Sequence, residues 1–153
     1  STFRVCLPRA AAPSRHPQVD PGASDVSRGA ESILVVDDDA LIRKTTRRVL
    51  ERLGYKVTVA SDGKEALEAA AAAPTPFALV VTDMSMPGMS GVELVRRLRA
   101  VHPTLRALIV SGNPPPDGEG VDATSFLQKP YSSETLSERV RQRLSGPNEP
   151  SAP

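Results

Sequence analysis

The chain has 153 residues, 39% hydrophobic and 24% charged, with a net charge of +1. That suits one ordinary domain with a tail, and it removes any broad argument for a nucleic-acid partner or a membrane surface. The single Cys6 excludes an internal disulfide, and no apolar run is long enough to cross a bilayer. The lone thiol and the lack of a signal-peptide pattern point to the cytoplasm, with a parent that could itself be membrane-anchored.

Residues 1–9, STFRVCLPR, alternate as one strand, with Phe3, Val5 and Leu7 on one face. Residues 10–30 carry Pro13, Pro17, Pro21, Gly22 and Gly29 among small polar residues, the composition of a flexible linker. Residues 31–145 then alternate between strand and helix patterns. Ile33–Val36 is a first strand. Asp39 caps a helix carrying Leu41, Ile42, Val49, Leu50 and Leu53, and Gly54 closes it. Lys56–Ala60 is a second strand. Asp62 with Glu65 forms a capping box for a helix that Pro74 stops. Phe77–Thr82 is a third strand, and Ser90 with Glu93 is a second capping box, opening a helix with Val92, Leu94, Val95 and Leu98. Ala107–Val110 and a short Ser125–Gln128 complete five strands. Ser132 or Ser133 caps a last helix with Leu136, Val140 and Leu144, closed by Gly146, and residues 146–153 form a disordered tail.

Strict alternation predicts an α/β fold, a parallel sheet with helices on both faces. Five strands in about 115 residues suit the flavodoxin-like, doubly wound order 2-1-3-4-5, which makes strands one and three neighbours at the switch point. Their carboxyl ends carry Asp37, Asp38 and Asp39 and the lone Asp83. Four aspartates at two strand ends are too negative to stand alone and need a cation. Strand four ends in the hydroxyl of Ser111, and strand five leads to the ammonium of Lys129.

With these residues in place, the chain resembles a receiver domain of two-component response regulators. The resemblance spans about residues 31–145. It rests on VVDDD after strand one, TDMSMPGMSG after strand three, SG after strand four and LQKP after strand five. It implies that Asp83 accepts a phosphoryl group, and that Asp37 and Asp38 hold Mg²⁺ directly and through water. It implies that Ser85 offers its backbone carbonyl to the metal, and that Ser111 and Lys129 contact phosphoryl oxygens. Phe126 is implied as an aromatic switch residue. The implied partner is the dimerisation and phosphodonor domain of a histidine kinase, or a histidine phosphotransferase; neither nucleic acid nor a membrane is expected to touch this chain. Transfer to an aspartate needs an in-line carboxylate and positive charge on the equatorial oxygens, which this residue set supplies. Beyond self-phosphorylation and autodephosphorylation, no enzymatic activity is implied for the chain itself.

Other readings compete at particular residues. Asp39 reads as a helix cap, and Met84, Met86 and Met89 as loop packing. The basic run Arg43, Lys44, Arg47, Arg48 reads as a solvated helix face, although in receivers the first helix docks the phosphodonor. His16 reads as inert, and His102, before Pro103 at a helix end, as solvated. Between Ser111 and Lys129 the stretch NPPPDGEG opposes a regular helix, so the helix expected there should be short or irregular. Two alternative functions are a haloacid-dehalogenase-like phosphatase and a degenerate receiver used only for binding. The first needs Asp-x-Asp-x-Thr or Val, whereas Leu41 follows Asp37 and Asp39. The opening STFRVCLPR resembles the closing strand of a histidine-kinase ATP-binding domain. With only a polar tail after Leu144, it points to the carboxyl-terminal receiver of a hybrid sensor histidine kinase.

Overall fold

A computed structural model describes residues 31–114 and 123–146. Five strands, β1 (Ser32–Val36), β2 (Lys56–Ala60), β3 (Leu79–Asp83), β4 (Arg106–Ser111) and β5 (Phe126–Gln128), pair in parallel in the order β2-β1-β3-β4-β5. Four helices, α1 (Ala40–Arg52), α2 (Gly63–Ala72), α3 (Gly91–Val101) and α4 (Ser133–Ser145), cover the sheet, and a 3₁₀ turn over Ala123–Ser125 precedes β5. The strand segments 1–9 and the linker 10–30 expected from sequence lie outside the described residues, as do 115–122 and the tail beyond Gly146.

Successive residues of a strand face opposite ways, so a strand buried on both sides reads as an unbroken apolar run. Leu34 and Val36 join Val80, Ala107 and Ile109 against α2 and α3. Ile33 and Val35 join Leu79, Val81, Leu108 and Val110 against Leu50 of α1 and Leu136 and Val140 of α4. Apart from Phe77 and Met86 the buried core is aliphatic, in keeping with the scarcity of aromatics.

The helix caps were legible in part. Asp39 accepts from the amides of Leu41 and Ile42, Asp62 from Glu65, Ser90 from Glu93 and Ser132 from Thr135. Gly54, at φ 94°, closes α1 as expected. The two capping boxes are not reciprocal. Glu65 turns back to the amide and hydroxyl of Ser61, both at 2.6 Å, and Glu93 pairs with Arg96 and Arg97. Both glutamates found a stronger partner than the cap amide, since charged or doubled donors outweigh a single one. Leu41 is also a correction to the inward-facing stripe: it is 73% exposed.

Candidate functional site

The register assembles the site. Val36 pairs with Thr82, so the next residues, Asp37 and Asp83, are neighbours across β1 and β3. Asp83 pairs with Val110, and Ser111 with Gln128, so Ser111 and Lys129 follow at the same edge. This is the carboxyl edge of the sheet, at the switch point of the strand order.

Asp83, Asp37 and Ser111 are buried, while Asp38 is exposed beside them. The Lys129 ammonium donates to Asp83 Oδ1 at 2.7 Å and lies 3.8 Å from Asp37 Oδ2. The amide of Ser85 donates to Asp83 Oδ2 at 2.9 Å. Both oxygens of Asp83 are therefore oriented. Ser111 Oγ accepts from the amide of Asn113 at 3.2 Å, and Asp37 Oδ1 accepts from that of Asp39 at 2.9 Å. Phe126 starts β5, half-buried, opposite Ile109. Asp39 turns away to cap α1 and is no part of the cluster.

Burial raises the Asp37 pKa above its ordinary value; the Asp39 amide and the charge of Lys129 oppose this, and Asp83 and Asp38 add to it. Burial works against the charged Lys129, but the hydrogen bond and charge of Asp83, with the charge of Asp37, outweigh it and raise the Lys129 pKa. The acidic corner thus carries its own counter-charge, an answer to the expectation that four aspartates need a cation. Among the described residues no three acidic, His or Cys side chains lie close enough to cage a metal by themselves. The available donors are all hard oxygens, from Asp37, Asp38 and Asp83. They fit a hard cation that keeps several waters, and they do not fit one that demands a complete protein cage.

The backbone around Asp83 is tight. A Cβ on Gly91 would run into the Asp83 carbonyl, and the Gly91 amide donates to Met84 O at 3.0 Å. Only glycine lets α3 begin this close to β3. Met86 is buried beneath the same loop, and Met84 and Met89 pack on the core, which accounts for the three methionines as packing.

Beside Lys129 a groove of about 510 Å³ runs between α1 and the β5–α4 connection, lined by Leu41, Ile42, Val49, Pro130, Tyr131 and Leu136. No sequence pattern signals it, because its walls come from elements almost ninety positions apart. Arg43 is the other residue missed. It looks like its neighbours in a basic run, yet it is half-buried and donates to the main-chain carbonyl of Asp37.

Residues 33–141 match the family model of the response regulator receiver domain. The chain belongs to this family. It is a phosphoacceptor receiver domain of two-component signalling. A sensor kinase, CckA of Brucella abortus, is 33% identical over 94% of this chain and 16% of its own length. The solved chemotaxis response regulator CheY4 of Vibrio cholerae is 34% identical, with a TM-score of 0.64 over 74% of this chain and 98% of that one. The solved receiver domain of the hybrid histidine kinase CckA is 35% identical, with a TM-score of 0.62 over 74% of this chain and 99% of that one. The chain spans about half the length of the response regulators it matches, and far less of the sensor kinase. No helix among the described residues is long and apolar enough to cross a membrane.

Proposed function

We propose that Asp83 is the phosphoacceptor of this receiver, and that it takes its phosphoryl group from a phosphohistidine. The observation that carries the reading is the Lys129 ammonium 2.7 Å from Asp83 Oδ1, with the Ser85 amide on Oδ2. A carboxylate held at both oxygens is aimed, and a fixed ammonium stands where charge gathers on the transferring group. In the transfer, an Asp83 oxygen bonds to phosphorus as the phosphorus–nitrogen bond to the donor histidine breaks, and the bonding pair leaves with the imidazole. Mg²⁺, which receivers generally bind at this site, would supply further neutralisation of the phosphoryl oxygens. Asp37, Asp38 and Asp83, with the Ser85 carbonyl, would hold it. Ser111 would donate to a phosphoryl oxygen. As it moves, Phe126 would fill the space it leaves, which is the two-state element of the switch.

The phosphodonor would dock on the groove beside Lys129, since Leu41 leaves apolar surface open next to the acceptor. A histidine-bearing helix of a kinase dimerisation domain or of a phosphotransferase suits a groove of this kind. The parent would be a hybrid sensor kinase. The similarity to the Brucella sensor kinase covers 94% of the chain, against 73% for response regulators, and the residues after 146 are too few to account for the difference. It therefore continues into residues 1–30, which we assign to the end of the kinase's ATP-binding domain and a linker.

Incubation with acetyl phosphate should leave one phosphoryl group per chain, labile to base as an acyl phosphate is. Steady turnover of a phosphomonoester without that adduct would instead favour the phosphatase reading.

A further inference from the structure

Arg43 stands apart from the other cations of α1. Lys44, Arg47 and Arg48 are exposed, whereas Arg43 is half-buried and its Nη1 donates to the carbonyl oxygen of Asp37 at 2.5 Å. Its own amide donates to the carbonyl of Asp39 at 2.9 Å, the ordinary first bond of the helix, so what the side chain adds is the hold on Asp37. The turn Asp37–Asp39 is held from below by the Asp37 amide on Ala60 O at 3.3 Å and from within by the Asp39 amide on Asp37 Oδ1. Glu65 grips the amide and hydroxyl of Ser61 at the end of β2, which lowers its pKa, with the charge of Arg43 a minor contribution. The guanidinium thus braces the backbone of the β1–α1 connection from the first turn of α1. It is always charged, planar and able to donate in more than one direction, which a single lysine ammonium does less well.

We propose that Arg43 is a positioning residue: by holding the Asp37 carbonyl it fixes the turn that presents the Asp37 and Asp38 carboxylates beside Asp83. Lys129, not Arg43, is the cation that reaches the carboxylates themselves. Arg43 acts on the backbone behind them. Groups that orient metal ligands without touching the metal are typically worth 10- to 100-fold in affinity. The inference rests on the proposed Mg²⁺ site, and the test separates the two.

Mg²⁺ titration calorimetry is run on the full chain and on Arg43→Met, which keeps the apolar stem and loses the donors. Arg43→Ala and Lys44→Ala are run in parallel. Amide exchange at Asp39 is followed in the metal-free proteins. The expected result is Mg²⁺ binding weakened about tenfold in Arg43→Met, faster exchange at Asp39, and both readouts unchanged in Lys44→Ala. Three results overturn the proposal: Mg²⁺ affinity in Arg43→Met within about threefold of the parent, an equal loss in Lys44→Ala, or a lowered melting midpoint with unchanged affinity and exchange. Should Arg43→Ala fail to fold, Arg43→Met decides alone. A parent chain that binds no Mg²⁺, or an Asp38→Asn variant that binds it equally well, sinks the metal-site reading instead; Asp39 exchange then still decides the role of Arg43.

Discussion

Asp37 carries a charge that the fold penalises, because it is buried and shares its corner with Asp83 and Asp38. Its folded pKa lies above the ordinary 3.8, so between those two values the folded chain holds a proton that the unfolded chain has released. Stability therefore falls as pH rises through that window, and at pH 7 the charged Asp37 is a net cost to the fold. Asp37→Asn keeps an oxygen for the Asp39 amide and should raise the metal-free melting midpoint at pH 7. The gain should vanish as pH falls toward 4. A less stable variant at pH 7 would mean that attraction to Lys129 outweighs burial. Lys129 has the same slope in a higher window, but there it is the charged form that the fold favours. Its raised pKa adds stability that is present below the ordinary 10.5 and lost as pH rises through the folded value. The residues of this corner were readable because each ends a strand, a position the apolar runs mark directly. Arg43 was not readable, because a run of four cations looks the same whether a member is solvated or bonded to a backbone.

At the scale of elements, strand order and helix starts followed from periodicity and caps. The groove did not. A stripe of apolar residues on α1 shows that one face avoids water, but not whether the whole stripe meets the core; Leu50 does and Leu41 does not. Leu41→Asp therefore separates docking from chemistry. With Leu41 mostly in solvent, the substitution should change stability by less than about 0.5 kcal/mol. It should slow transfer from a phosphohistidine partner at least tenfold while leaving phosphorylation by a small phosphodonor unchanged. Equal slowing with both donors would place the effect at Asp83 rather than at the groove. The β4–β5 connection belongs to this scale too. Pro114–Pro116 and Gly118 opposed a regular helix, and among the described residues that connection contributes only the 3₁₀ turn Ala123–Ser125.

For the whole molecule, both core clusters of the described residues lie between Ile33 and Leu144. The family match occupies nearly the same span. A chain restricted to residues 31–146 should thus unfold with the same midpoint as the full chain and accept phosphate from acetyl phosphate at the same rate. A drop of several degrees would show that residues 1–30 pack on the receiver, against their assignment to a kinase domain and linker. That assignment was legible only as a resemblance, since thirty residues of strand and linker composition bury too little to declare a domain of their own.

The central claim is that one carboxylate, Asp83, receives the phosphoryl group. Intact-mass spectrometry after incubation with phosphoramidate and Mg²⁺ tests it most directly. The parent chain should gain one phosphoryl group, and Asp83→Asn should gain none while keeping its fold. Undiminished modification of Asp83→Asn would contradict the account and move the acceptor elsewhere.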